Sequence, residues 1–398
     1  MSAPDQPEQP EQPSGLEGFG LDHLPYGVFS VAGGPRRVGV RFADTVVDLG
    51  GTGRPELEAP TLNPLMALGP QVWAETREQV TTLVGSGAAR SHPLEEVALH
   101  LPFEVADYVD FYCSEHHATN VGRIMRPDDE PLLPNWRHLP VGYHGRAGTV
   151  VPSGTPVVRP HGQRRGREGP AFGPSRRLDL EAELGFVVGV GSRQGEPVPA
   201  TALADHVFGV VGLNDWSARD VQGWEYQPLG PFLGKSFATS VAHWVTPLAA
   251  LEAAWVPLPG QHPTPLPYLA PDDPQVARGL DIAVEVELGG HVVARPPYAS
   301  TYWSPAQMLA HLTLNGASLR TGDLFASGTI SGPGREQRGS LLELSWGGAE
   351  PFGTEHWPGG RTFLEDGDTV VLRYSAPGTG GGRISLGEVR GTISPAVR

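Results

Sequence analysis

Between Leu178 and Leu184 the chain alternates apolar and acidic side chains, with Leu178, Leu180, Ala182 and Leu184 interleaved with Asp179, Glu181 and Glu183. A period of two belongs to a strand with one apolar face, so LDLEAELGF predicts a strand that points Glu181 and Glu183 the same way, about 7 Å apart. DIAVEVELGG repeats the pattern with Glu285 and Glu287, where a solvated hairpin face is the simpler reading, closed by the two-residue Gly289-Gly290 turn. Further strands are predicted at VFSVA, RRVGVRF and TVVDLG in the first hundred residues, and later at GTVV, HVFGVVGL, HVVAR, LLELSW, TVVLRY and RISLG. Helices are predicted over QVWAETREQVTTLV and ATALADHVF. A third is well punctuated, with Ser304 as N-cap, Pro305 at its first position, Gln307 completing a capping box and Asn315-Gly316 as the stop. Strands outnumber helices without alternating with them, so the fold class is mainly β (α+β) and a doubly wound parallel sheet is excluded.

Length adds that 398 residues can form two or three parts with buried cores. The formal net charge of −15 argues against a nucleic-acid backbone or an anionic membrane as partner. A single cysteine, Cys113, rules out an intrachain disulfide or a cysteine zinc site and fits a reducing compartment. Residues 1–15 read as a disordered tail, with neither the basic nor the apolar region of a signal peptide, and no run approaches the roughly 18 apolar residues of a membrane span. The expected location is cytoplasmic.

Candidate chemistry concentrates in a few segments. DYVDFYCSEHHATNVGRIMR packs an acid, histidines and arginines into a loop-like stretch, in which Asp110 is a candidate metal ligand and His117 a candidate base; His116 is read as solvated. In GVVGLNDWSARDVQGWEYQPLGPFLGKSF an apolar strand runs into Asp215, well placed for a metal. Arg219, Gln222 and Lys235 could donate to a developing oxyanion and Tyr226 could orient a ligand, the bland alternative being Arg219 neutralising Asp215 or Asp220. Asp110, Glu181, Glu183 and Asp215 together suit one hard divalent cation, because carboxylates select Mg²⁺, Ca²⁺ or Mn²⁺. Thr329, in the glycine-rich GDLFASGTISG, could hold a ligand carboxylate. Glu343 is expected in a strand among leucines, where burial would demand a partner such as histidine. Gly189-x-Gly191 fails as a dinucleotide fingerprint, since Gly195 comes a residue late and Pro197 interrupts the helix it would need.

Taken in order, DFYCSEHHATNVG, LPVGYHGR, LDLEAELGF, NDWSARDVQGWEY, PLGPFLGKSF, GDLFASGTISG and LLELSW closely resemble the fumarylacetoacetate hydrolase family, from about Asp107 to Gly387. The resemblance implies a small SH3-like β-barrel over residues 16–102 and a larger mixed β-sandwich or β-roll catalytic domain over 103–398, working as a homodimer. It implies hydrolytic carbon-carbon cleavage of 4-fumarylacetoacetate to fumarate and acetoacetate, the last step of tyrosine and phenylalanine breakdown. Asp110, Glu181, Glu183 and Asp215 would bind Ca²⁺ or Mg²⁺, His117 would be the base and Glu343 its orienting partner. Arg219, Gln222 and Lys235 would stabilise the oxyanion, while Tyr112, Arg126, Tyr143, Gln222, Tyr226 and Thr329 would contact substrate. A second Mg²⁺ would lie at Lys235 and Thr239 through backbone carbonyls. Cys113 stands where the family has a small hydroxyl residue, and Arg123 competes with Arg126 as the substrate arginine. The alternatives are an acylpyruvate-type oxo-acid hydrolase of the same superfamily and a non-catalytic Ca²⁺-binding β-sandwich.

Overall fold

The computed structural model describes residues 18–397, so the expected tail over residues 1–15 lies outside the described residues. The chain opens with the antiparallel meander β1 (Tyr26–Val31), β2 (Arg37–Phe42) and β3 (Thr45–Asp48). Helix α1 (Pro70–Gly85) follows where the periodicity placed one, with Thr76, Val80 and Val84 buried at four-residue intervals. Beyond β4 (Tyr108–Phe111), the stretch expected to be a loop is helix α2 (Glu115–Met125). Ser114 caps it by accepting the backbone N–H of His117 at 3.2 Å, and Glu115 occupies the first turn, so the polar residues belong to a capped helix.

β5 (Gly142–His144) pairs with β4, and β6 (Ala182–Val188) with β7 (Val207–Asp215) forms a hairpin buried along its whole length. The continuous strand expected from Leu178 is therefore interrupted: Leu178–Asp179 pairs apart, with Ser217–Ala218, before β6 begins. The helix expected over ATALADHVF shrinks to short turns through His206, because β7 claims Val207 and Phe208. Helix α3 (Arg219–Glu225) starts four residues beyond Asp215. Then come β8 (Thr239–Val241) and β9 (Trp244–Pro247), followed by β10 (Ala283–Leu288) and β11 (His291–Ala294), joined by Gly289 and Gly290 at φ +55° and +85°. Glu285 and Glu287 on this hairpin are half-buried and ion-paired with Arg295 and Arg373, which corrects the solvated reading.

Helix α4 (Pro305–Thr313) carries the predicted capping box. After β12 (Leu324–Ala326), the segment expected as a strand around Glu343 is instead the helical turn α5 (Leu341–Leu344). Capping decides this: Ser340 Oγ accepts the N–H of Glu343, and the Asp179 carboxylate accepts those of Leu341 and Leu342. The chain closes with β13 (Thr369–Pro377) and β14 (Arg383–Ser394).

The main sheet has the order β3-β2-β1-β9-β7-β6-β12-β4-β5, and the expected closed SH3-like barrel does not form. One edge of β1 is shared between Val97–Leu99 and β9, with Tyr26 opposite Val245, so the first strands satisfy their backbone groups by extending the large sheet. A second sheet, β11-β10-β13-β14, packs against it. Tyr374 of β13 donates its hydroxyl to the Leu213 carbonyl and accepts from the Leu213 N–H, an approach possible because a Cβ on Gly212 would sit 2.4 Å from the Tyr374 ring. The mainly β, mixed α+β expectation stands. Among the described residues no helix is long and apolar enough to cross a membrane. For function the decisive feature is that β4, β6 and β7 lie within one stretch of sheet and bring their carboxylates together.

Candidate active site

Asp110 comes from β4, Glu181 from the residue before β6, Glu183 from β6 and Asp215 from the end of β7. All four are buried, and one carboxylate oxygen from each lies within 4.8 Å of the others. Burial, followed by the charge of Asp215, pushes the Asp110 carboxyl up to about 8. Burial and then the charges of Asp110, Glu181 and Asp215 push Glu183 well above the carboxylate range. Asp110 Oδ1 and both oxygens of Glu183 have no hydrogen-bond partner. Burying unpaired carboxylates side by side is costly, and it is the arrangement that a hard divalent cation would repay with oxygen coordination. The donor set contains neither histidine nor cysteine, which disfavours zinc or copper.

Lys235 and Arg219 pair with Glu181 and Asp215 of the cluster and leave Asp110 Oδ1 and Glu183 without a partner. Lys235 Nζ donates to Glu181 Oε2 and, at 2.7 Å, to Asp215 Oδ2; burial opposes its charge, but Asp215 and Glu181 outweigh burial and keep it protonated. Arg219 reaches Asp179 through Nε at 2.8 Å, Glu181 through Nη2 at 2.6 Å and the Gln222 side-chain oxygen through Nη1 at 3.1 Å. It pairs with neither Asp215 nor Asp220, contrary to the bland expectation. Burial would raise Glu181, but Arg219, Lys235 and His117 hold its carboxyl well below the usual range. Thr239 donates its hydroxyl to Asp215 Oδ1 at 3.2 Å.

His117 sits in the first turn of α2, fully buried, with Nδ1 2.6 Å from Glu343 Oε2 and Nε2 3.8 Å from Glu181 Oε1. With Nδ1 engaged by Glu343, Nε2 is the ring nitrogen that faces the carboxylate cluster. Glu343 also accepts from Asn120 Nδ2, Ser331 Oγ and Ser340 Oγ, each at 2.9 Å. Burial alone would raise its carboxyl, but the His117 charge and these hydrogen bonds hold it below the ordinary value. Asn120 lies three residues after His117, the spacing of one helix face; it escaped notice because the stretch read as a loop.

A cavity of about 400 Å³ opens onto the cluster and the imidazole. Its lining includes Tyr112, Arg126, Tyr143, Gln222, Tyr226, Lys235 and Thr329, with Val121, Leu133, Val141 and Leu342 as apolar wall. The Tyr112 ring stands edge-on to His117 at 5.3 Å, and the Tyr143 hydroxyl donates to Asp215 at 3.0 Å. Thr329 Oγ1 and Arg126 Nε are buried without a partner, both poised for a polar ligand. Gly328 makes room for this loop: its φ is +73°, and a Cβ there would meet the Phe111 carbonyl at 2.2 Å. Arg123 lines a separate depression with Glu130 and Arg137, so Arg126 is the arginine the fold offers to the cavity.

Protonation carries a testable consequence. Asp110 holds its proton up to about 8 when folded but loses it near 3.8 when unfolded, so between these values the folded state binds more protons. Stability of cation-free protein therefore falls as pH rises from about 4 to about 8, and Glu183 adds to the fall. Thermal melts of chelated protein across this range should show the decline, and added divalent cation should abolish it.

Residues 107–394 match the family model described as fumarylacetoacetate hydrolase C-terminal, and residues 22–102 match the one described as fumarylacetoacetase N-terminal. The chain belongs to the fumarylacetoacetate hydrolase family. It is 44% identical over 410 aligned residues to the fumarylacetoacetase of Homo sapiens, covering 95% of this chain and 97% of that one, and 44% identical to that of Caenorhabditis elegans at the same coverage. The fumarylacetoacetase of Arabidopsis thaliana is 39% identical over 95% of this chain and 96% of its own. Among solved structures, a fumarylacetoacetate hydrolase from psychrophilic Exiguobacterium antarcticum superposes with TM-score 0.58 at 16% identity, over 94% of this chain and 99% of that one. A maleylpyruvate hydrolase from Sphingobium gives 0.53 at 15% identity, over 94% and 100%. At such identities the shared feature is the fold alone.

Proposed function

We infer that this protein hydrolyses 4-fumarylacetoacetate to fumarate and acetoacetate, the closing step of tyrosine and phenylalanine breakdown. The observation that carries the reading is the His117–Glu343 pair beside partnerless carboxylates in one cavity, in a chain 44% identical to fumarylacetoacetases over nearly its whole length. The match to the amino-terminal family model favours this reaction over acylpyruvate-type hydrolysis. The imidazole-carboxylate pair has no use in a purely structural cation-binding module.

His117 Nε2 takes a proton from water, and the hydroxide adds to the fumaryl ketone carbonyl, the one conjugated to the double bond. Glu343 holds the imidazole in its tautomer and stabilises the imidazolium that forms. The tetrahedral oxyanion meets the charges of Lys235 and Arg219 and the Gln222 amide, whose Nε2 stays available because Arg219 engages its oxygen. The carbon-carbon bond then breaks, its electron pair leaves as the acetoacetate enolate, and the imidazolium returns the proton to that carbon. Asp110, Glu181, Glu183 and Asp215 would hold Ca²⁺ or Mg²⁺, which when bound supplies the Lewis acidity that makes an enolate leaving group accessible. Thr329 and Arg126 suit the substrate's carboxylates, and Tyr112, Tyr143 and Tyr226 its body. A second Mg²⁺ at the Lys235 and Thr239 carbonyls, the division of the chain at residues 102 and 103 and a homodimer complete this reading and rest on the family resemblance; a cytoplasmic location is proposed with them. Sedimentation and metal analysis test the dimer and the ions.

Loss of diketone absorbance on mixing protein, fumarylacetoacetate and divalent cation is the direct assay; no loss with any cation overturns the proposal. Within it, Glu343→Gln should lower kcat by about 10²-fold or more with KM little changed, because the imidazole loses its orienting charge. Steady-state kinetics read the split, and an unchanged kcat contradicts the pair.

A further inference from the structure

The alternation that carries Glu181 and Glu183 also carries Asp179, yet Asp179 stands outside the carboxylate cluster. It is completely buried, and its oxygens are all spoken for. Oδ2 accepts Arg219 Nε at 2.8 Å and the Leu342 N–H at 3.0 Å; Oδ1 accepts the Leu341 N–H at 2.7 Å and the Leu180 N–H at 2.8 Å. One carboxylate thus joins three separate segments: its own short strand, the arginine at the head of α3, and the turn α5 that presents Glu343 to His117.

We propose that Asp179 is a positioning residue that locks the oxyanion-facing Arg219 to the turn bearing Glu343, so that the two halves of the catalytic apparatus keep their spacing. Glu343 hangs on a single helical turn, and a turn of that length has too few hydrogen bonds of its own to hold a side chain in place. Its first two N–H groups have Asp179 as their acceptor, and its third has Ser340. Arg219 is equally dependent. Glu181 pulls its Nη2 toward the cluster, and Asp179 on Nε supplies the counter-pull that fixes the plane of the guanidinium. Charged hydrogen bonds in a dry interior are short and directional, so a carboxylate shared between both elements transmits a displacement of either to the other. The break in the strand at Leu180 is what turns Asp179 away from the cation site and toward α5.

This inference rests on the proposed hydrolysis, and the wild-type assay separates the two: absence of turnover there refutes the reaction, whereas the variants below refute only the positioning role. Asp179→Asn keeps the size and an acceptor oxygen but removes the charge. The expected result is a kcat at least tenfold lower, KM within about threefold of wild type, and an unchanged cation stoichiometry by metal analysis. In a Glu343→Gln background the same substitution should cost kcat clearly less, since part of its effect passes through Glu343. Wild-type kcat in folded Asp179→Asn would make the residue a plain structural strut. Loss of the cation would make it a ligand, and equal fold-losses in both backgrounds would break the link to Glu343. Should Asp179→Asn fail to fold, Asp179→Glu preserves the charge while displacing it by one methylene, and wild-type kcat in that variant would equally overturn the proposal.

Discussion

His117→Ala lowers kcat by about 10²- to 10⁴-fold while the protein still folds and still takes up its cation. The expectation follows from how the side chain is held. Nδ1 is fixed by Glu343, Nε2 faces the carboxylate cluster, and no other described imidazole lines the cavity. Glu343 keeps donors from Asn120, Ser331 and Ser340 after the imidazole is gone, so its buried charge is not abandoned and folding survives. None of the four clustered acids is altered. Circular dichroism, metal stoichiometry and kcat measured on one preparation check all three parts, and full activity in this variant removes His117 as the base.

Glu183→Gln weakens cation binding by more than about 100-fold, and activity falls with it. Glu183 is the strongest candidate ligand of the set because neither of its oxygens has a partner and every nearby acid repels its charge. The same facts predict an opposite effect on stability. A neutral amide mimics the protonated carboxyl that cation-free protein prefers, so the variant should melt no lower than wild type without cation, and its stability should fall less steeply as pH rises. Gain or parity in stability together with lost activity is the mark of a group kept for function at a cost to folding. Calorimetric titration of chelated protein and melts at several pH values test both halves, and wild-type cation affinity would refute the assignment.

How much of this was legible in the chain depends on the range of the forces involved. Helix α4 was readable because its capping box is a contact among Ser304, Gln307 and their own backbone, and the β10–β11 hairpin because two adjacent glycines set its turn. Helix α2 and turn α5 were misread for the converse reason. α2 is dense in polar residues because its inner face serves the site, and α5 is made helical by Asp179, far away in sequence. The SH3-like barrel failed because β9, likewise remote, takes part of the β1 edge.

The sequence by itself determined the residue types and the family: carboxylates in place of thiols, a candidate base in His117, and a mainly β chain whose segments match one hydrolase family in order. Strand periodicity and donor chemistry are local properties, written into neighbouring residues. Only the tertiary structure decided which acids meet and which are diverted. It gathered Asp110, Glu181, Glu183 and Asp215, sent Asp179 to Arg219 and α5, turned Arg126 rather than Arg123 to the cavity, and seated Glu343 on His117. The reason is that burial and Coulomb interaction act across space between chain-distant groups, so identical spacing along the strand, as for Asp179 and Glu183, ends in different partners.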